Sequence, residues 1–130
     1  MIVADASAVV LALTDRSARG RAARDRLARE PSRSPQLLVI EVVHVFRRLV
    51  RSHTLDPGRA AHAILDLTRS PIQLQDHRVL AARVWELRDN LSAHDAVYVA
   101  LAEALDCPLV TADRRIATAP GHRVEVDLLA

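Results

Sequence analysis

Short apolar segments rich in β-branched residues alternate with segments of helical periodicity along the whole sequence. This alternation is typical of a parallel sheet covered by helices, because each return to a parallel strand requires a crossover. We therefore predict a three-layer α/β/α sandwich with a central parallel sheet of four to five short strands. The chain has 130 residues, the length of one domain, and we expect residues 1–130 to form a single domain. The predicted strands cover residues 2–5, 72–74, 108–111 and 124–126.

Helical spacing of apolar residues predicts the elements between these strands. Ser7 is expected to cap a first short helix that runs to residue 13, and Asp56-Pro57 to open a later one. We expect the proline-flanked residues 31–35 to form a loop. Residues 37–51 are apolar nearly all round in their first half, which predicts a buried helix. Further helices are predicted at residues 16–30, 57–68, 79–90 and 92–105, with a short helical turn after Asp113.

Three carboxylates fall at one edge of the predicted sheet. Asp5 ends the first strand and Asp113 follows the strand at 108–111, and ligands of parallel sheets bind at the carboxyl ends of the strands. A helix that leads directly into a parallel strand runs antiparallel to that strand. The beginning of the helix at 92–105, with Asp95, therefore lies at the same edge. If the strands are parallel, Asp5, Asp95 and Asp113 converge.

Glu41 is the fourth candidate acid, because it stands among apolar residues where an unpaired carboxylate is costly. Carboxylates brought into one cleft repel each other unless a cation intervenes. Oxygen ligands favour Mg²⁺ or Mn²⁺, whereas zinc would call for clustered Cys and His. We therefore predict a divalent metal held by Asp5, Asp95 and Asp113, and we expect the carboxylate of Glu41 to be a fourth catalytic residue. Such a metal would activate water for attack on a phosphodiester.

Other interpretations of the four acids stay open. An Asp after a strand or at the start of a helix is often only a capping residue, and this applies to Asp5, Asp95 and Asp113. Glu41 could instead pair with an arginine. Glu41 and His44 also have the spacing of di-iron helix bundles, but the predicted strands argue against a bundle.

Composition excludes several classes of protein. The three glycines are too few and too scattered for a phosphate-binding loop, and all 18 basic residues are arginine. Response-receiver modules and haloacid-dehalogenase-type phosphatases need a lysine that this chain lacks. The single cysteine cannot form an internal disulfide, and no apolar stretch reaches the ~20 residues of a membrane helix. We expect a cytoplasmic protein without membrane insertion.

Four motifs, in this order and over the whole chain, resemble the PIN-domain family and more closely the VapC toxins of bacterial toxin–antitoxin pairs. They are IVADAS at residues 2–7, EVVH at 41–44, HDAVYVALA at 94–102 and LVTADRR at 109–115. The resemblance implies a Mg²⁺- or Mn²⁺-dependent endoribonuclease in which Asp5, Glu41, Asp95 and Asp113 correspond to the acidic residues of the family.

The resemblance also assigns supporting roles. Ser7 and Thr111 correspond to hydroxyl positions that accompany the acids. His44 departs from the family, where Asn or another small polar residue is more common, and a water-orienting role is therefore not implied for it. The family further implies an RNA substrate, a homodimer and a small antitoxin whose C-terminal segment lies across the cleft.

The alternative function is a catalytically inactive PIN-like scaffold that binds a protein partner through its apolar helix. In that case the acids would be structural only. With only three aromatic residues, base stacking cannot be a major mode of RNA binding, and contacts to the RNA backbone should dominate. The run of seven arginines within residues 16–33 can contact phosphates, but such a run is more often a solvated helix face.

Overall fold

The computed structural model describes all 130 residues and confirms the predicted parallel sheet. Its strands are β1 (Ile2–Ala4), β2 (Ser32–Pro35), β3 (Gln73–Gln75), β4 (Leu109–Thr111) and β5 (Val126–Leu128). They form one sheet in the order β3-β2-β1-β4-β5, and every neighbouring pair is parallel. The first strand of the chain is therefore the central strand of the sheet.

Helices cover both faces of the sheet. They are α1 (Ala6–Thr14), α2 (Ala18–Ala28), α3 (Leu37–Arg51), α4 (Pro57–Arg69), α5 (Ala81–Glu86), α6 (Ala93–Leu105) and α7 (Arg114–Thr118), with a 3₁₀ turn at Arg78–Leu80. The middle of α6, residues 96–102, is buried and packs across β1, β2 and β4.

Successive side chains of each strand point to opposite faces of the sheet, so the strands contribute to two separate apolar layers. Val3 and Leu109 join the larger core, which includes α6, whereas Ile2 and Val110 pack with Ala8 of α1 in a smaller core. These two layers around one sheet give the three-layer architecture.

The segment predicted as a loop between two prolines is strand β2, so that prediction was wrong. Ser32 and Ser34 are buried, and the Ser34 hydroxyl donates a hydrogen bond to the carbonyl oxygen of Ala4. Pro31 and Pro35 stand at the ends of the strand, where a missing N–H interrupts no ladder. Serine therefore fits this position because its small side chain is satisfied locally.

The cap of α1 also differs from the prediction. Asp5, and not Ser7, caps this helix by accepting a hydrogen bond from the backbone N–H of Ala8. Several other boundaries shift by one to a few residues, as in β3, β5 and the short α5, because apolar periodicity does not define element ends. The bounds of α3 and α4 agree with the predicted ones to within a residue.

Helix α3 is buried on only one side, although its sequence predicted burial nearly all round. Leu38, Val42 and Phe46 are in the core, whereas Ile40 is 67% exposed and Val43 is 37% exposed. The structure thus leaves an apolar face of α3 uncovered. None of the helices combines the length and apolarity that crossing a membrane requires.

The connection between α1 and α2 leaves no room for a methyl group at Gly20. A Cβ on Gly20 would lie 1.9 Å from the carbonyl oxygen of Asp15. We expect Gly20→Ala to lower the free energy of unfolding by ~1–3 kcal/mol, measured by urea denaturation.

Gly58→Ala is the matched control, because the nearest atom to its added Cβ is the side-chain Oδ2 of Asp56, at 3.0 Å. This carboxylate can shift, so the control should change stability by less than about 1 kcal/mol. Equal stabilities of the two variants would contradict the proposed steric constraint at Gly20.

Candidate active site

The structure brings the four acidic candidates into one open cleft of about 720 Å³ at the carboxyl edge of the sheet. Asp5 follows β1, Glu41 lies on α3, Asp95 lies in the first turn of α6, and Asp113 follows β4. The parallel arrangement of β1 and β4 is what places these distant residues at the same edge.

Asp5 is buried and held by three donors. Its Oδ1 accepts hydrogen bonds from the Ser7 hydroxyl at 2.7 Å and from the Ala8 N–H at 3.0 Å, and its Oδ2 accepts one from the Thr111 hydroxyl at 2.6 Å. Burial nevertheless raises the pKa of Asp5, and these hydrogen bonds oppose the rise only in part. The position of the carboxylate is therefore well defined, while its negative charge is incompletely compensated.

Ser7 and Thr111 connect the two strand ends. The Ser7 Oγ accepts a hydrogen bond from the Ala112 N–H at 2.9 Å and lies 3.2 Å from the Thr111 Oγ1. Thr111 in turn accepts one from the Asp113 N–H at 3.0 Å. The two hydroxyls thus fix the turn that carries Asp113 relative to Asp5.

Glu41 has one satisfied oxygen and one that has no partner. The Tyr98 hydroxyl donates to Oε2 at 3.1 Å, whereas Oε1 is buried without a hydrogen bond. Burial raises the pKa of Glu41 to about 7. No arginine pairs with this carboxylate, so that alternative is wrong. Sequence reasoning missed Tyr98, although its position three residues after Asp95 on α6 indicates the same helix face.

Asp95 and Asp113 differ in their partners. Ser92 caps α6 by accepting from the Asp95 N–H, and the Asp95 carboxylate itself makes no hydrogen bond or salt bridge. Asp113 caps α7 and forms a salt bridge with Arg115 at 2.7 Å. The Arg115 guanidinium lowers the pKa of Asp113. The capping interpretation therefore holds for Asp5 and Asp113 but not for Asp95.

The residues fit a hard divalent cation by their chemistry. All four donors are carboxylates, and the free oxygens include Glu41 Oε1 and both oxygens of Asp95. No three His, Cys, Asp or Glu side chains lie close enough together to hold a metal ion between them, and Asp113 is turned toward Arg115. Coordination by Asp5, Asp95 and Asp113 together therefore requires a side-chain rearrangement. His44 does not line this cleft.

The sequence pattern of the PIN-domain family matches residues 2–121. The chain belongs to the PIN-domain family. It is 41% identical to ribonuclease VapC1 of Mycobacterium tuberculosis, over 98% of this chain and 96% of that relative. This finding confirms the resemblance inferred from the four motifs.

Two solved structures confirm the PIN-domain fold. VapBC2 from Rickettsia felis, bound to a DNA fragment from its promoter, superimposes with a TM-score of 0.72 at 15% identity and covers 100% of both chains. The sarcin-ricin loop cleaving toxin VapC20 of Mycobacterium tuberculosis gives a TM-score of 0.70 at 17% identity, over 95% of this chain and 97% of that one. At these identities the likeness concerns the fold alone.

The raised pKa of Glu41 predicts how stability of this PIN domain depends on pH. Its folded pKa of about 7 lies above the ordinary value of 4.5, so the folded state binds the proton more tightly than the unfolded state. Stability from this group is full below about pH 4.5 and is lost as pH rises toward 7. In metal-free buffer, Glu41→Gln should flatten this decline, measured by urea unfolding at several pH values.

Glu125→Gln provides the control, because Glu125 is exposed and lies outside the cleft. Its stability should follow pH as in the wild type. A Glu41→Gln protein whose stability declines as steeply as the wild type between these pH values would show that Glu41 does not retain a proton in the fold. Asp5, whose pKa is also raised, contributes in the same direction in all three proteins.

Proposed function

We propose that this chain is an endoribonuclease that hydrolyses RNA phosphodiester bonds with Mg²⁺ or Mn²⁺ and acts as the toxin of a toxin–antitoxin pair. The observation that carries the proposal is the meeting of Asp5, Glu41, Asp95 and Asp113 in one cleft. Similarity to ribonuclease VapC1 over nearly the full length supports the RNA substrate. A single PIN domain over residues 1–130 and a cytoplasmic location belong to the same proposal.

The proposed mechanism assigns a task to each acid. Asp5, Asp95 and Asp113 would hold the cation, which would polarise a water and stabilise negative charge on the leaving oxygen. Glu41 would accept the proton of the attacking water, and the Tyr98 hydroxyl orients its carboxylate through Oε2. A base with a pKa of about 7 is well matched to this transfer near neutral pH.

The proposal includes an antitoxin that covers the cleft with its C-terminal segment. The sequence resemblance to VapC toxins and the fold similarity to VapBC2 from Rickettsia felis support this partner. The rival function is an inactive PIN-like scaffold, which the capping roles of Asp5 and Asp113 would also allow. A metal response in solution separates the two.

Asp95→Asn tests the metal-dependent activity directly. The Asp95 carboxylate makes no hydrogen bond, so the variant should unfold at the same urea concentration as the wild type. We expect RNA cleavage with Mn²⁺ to fall by about 100-fold or more, because metal-ion catalysis supplies several kcal/mol. Calorimetric titration should show weaker Mn²⁺ binding.

Asp89→Asn, an exposed acid outside the cleft, should cleave and bind Mn²⁺ as the wild type does. Undiminished cleavage by Asp95→Asn would remove Asp95 from the proposed site. A wild-type protein that neither cleaves RNA with Mg²⁺ or Mn²⁺ nor gains thermal stability from them would support the scaffold instead.

We also propose a homodimer formed through the uncovered apolar face of α3 and α5. Ile40 and Trp85 are each 67% exposed, and Leu37 and Trp85 line a common apolar groove. An apolar surface of this kind is typical of an interface.

Ile40→Asp should shift the protein from dimer to monomer in light scattering coupled to gel filtration, because the added charge would be buried in the interface. Leu65→Asp is the control, since Leu65 of α4 is also an exposed apolar residue, at 44%, and lies outside this face. A dimer that persists in Ile40→Asp would place the interface elsewhere.

A further inference from the structure

Three arginines line the acidic cleft without pairing with its acids. They are Arg19 of α2, Arg48 of α3 and Arg114 of α7, and all three are exposed. None of them forms a salt bridge, whereas Arg26, Arg78, Arg83 and Arg115 all do. Arg19 donates to the carbonyl oxygen of Ala130, but Arg48 and Arg114 donate no side-chain hydrogen bond. The guanidinium groups of these two are therefore free to bind a ligand.

Helix geometry places Arg48 relative to the proposed base. Seven residues of an α-helix turn by ~700° and rise ~10 Å, so Arg48 lies on nearly the same face as Glu41, about two turns away. Val45 lies between them, and all three residues line the cleft. Arg47 points about 100° away from Arg48 and does not line it. Arg48 thus lines the cleft from the same face of α3 as Glu41, about two helical turns further along.

The charge of the cleft makes this placement meaningful. A cleft lined only by carboxylates would repel a nucleic-acid backbone. A free guanidinium instead offers a planar set of N–H donors that suits phosphate oxygens. The only aromatic residue that lines the cleft is Tyr98, which is buried and engaged with Glu41. The cleft therefore has no exposed ring on which a base can stack, and affinity must come from the phosphates.

Two members of the arginine run at residues 16–33 are engaged elsewhere. Arg24 donates to the carbonyl oxygens of Ala12 and Asp15 at the end of α1, and Arg26 pairs with Glu30 and Asp127. Arg19 is the only member of the run that lines the cleft. The free positive charge beside the acids thus comes from α3 and α7 and not mainly from the run.

We propose that Arg48, assisted by Arg114, binds phosphates of a single RNA strand next to the bond that is cleaved and so positions that strand in the cleft. The inference rests on the proposed ribonuclease function and adds phosphate-binding residues to it. Arg48 lies two helical turns from Glu41 and contacts a neighbouring phosphate, whereas the acids face the reacting one. Its role is in binding the substrate and not in the chemical step.

The salt dependence of RNA binding tests the proposal. Binding of a fluorescent single-stranded RNA is measured by anisotropy in the Asp95→Asn background without added Mg²⁺ or Mn²⁺, so that cleavage is suppressed. Adding Arg48→Ala should weaken binding about tenfold, as expected for a charge-assisted hydrogen bond. The slope of log affinity against log salt should fall by about 0.7, the value for one lost phosphate contact on a single strand. In the cleaving enzyme, KM should rise and kcat should change little.

Arg47→Ala is the matched control, because it removes the same charge from the same helix outside the cleft. Its affinity and salt slope should equal those of the parent protein. Arg48→Lys should restore the dependence of RNA affinity on salt but only part of the affinity itself. Lysine keeps the positive charge but lacks the planar guanidinium group. If Arg48→Ala changed Mn²⁺ affinity and left the salt slope intact, the arginine would act on the acids and the inference would be wrong.

Failure of this inference is distinguishable from failure of the proposed function. A wild-type protein that cleaves RNA while Arg48→Ala and Arg47→Ala bind RNA equally would overturn the role of Arg48 alone. A protein that binds RNA through Arg48 but does not cleave it with Mg²⁺ or Mn²⁺ would support the phosphate site and overturn the ribonuclease. Absence of any RNA binding would overturn both.

Discussion

The buried carboxylate of Asp5, at the end of the central strand, is the interaction on which the cleft depends. It joins three elements through one group, because it follows β1, caps α1 and accepts from Ser7 within that helix, and accepts from Thr111 at the end of β4. Removal of a carboxylate from water is costly, and the three donors offset only part of that cost. The fold therefore keeps an incompletely compensated carboxyl group at the end of its central strand, as many functional sites do.

The acids around Asp5 have different surroundings, and these surroundings separate their roles. Burial favours the protonated form of Glu41, whereas Arg115 favours the ionised form of Asp113. Asp95 has no partner that would compete with a ligand. In the proposed mechanism these surroundings suit Glu41 as the proton acceptor, Asp95 as a free ligand and Asp113 as a ligand held by a guanidinium, because the properties of a carboxylate follow its local contacts. The salt bridge to Arg115 would have to open before Asp113 could join a shared ion.

The sequence was sufficient for the layer architecture and for the convergence of Asp5, Asp95 and Asp113, because both follow from strand direction alone. Strand β2 was missed since its serines are polar, and only the paired backbone of β1 and the Ser34 contact make them suitable for a buried strand. Side-chain contacts between helices, such as the hydrogen bond from Tyr98 to Glu41, depend on how the helices pack against each other. The periodicity within one helix does not specify that packing. The same limit explains why the exposure of Ile40 was not foreseen.

Helix α3 has three sides with different surroundings. Leu38, Val42 and Phe46 fill the core, Glu41 and Arg48 face the cleft, and Ile40 and Val43 form the bare apolar side. A replacement on one of these sides would change the core packing, the charge of the cleft or the exposed apolar surface. Any rotation of α3 about its axis would move all three surfaces at once. A contact on the exposed apolar side that rotated the helix would therefore also move Glu41 in the cleft.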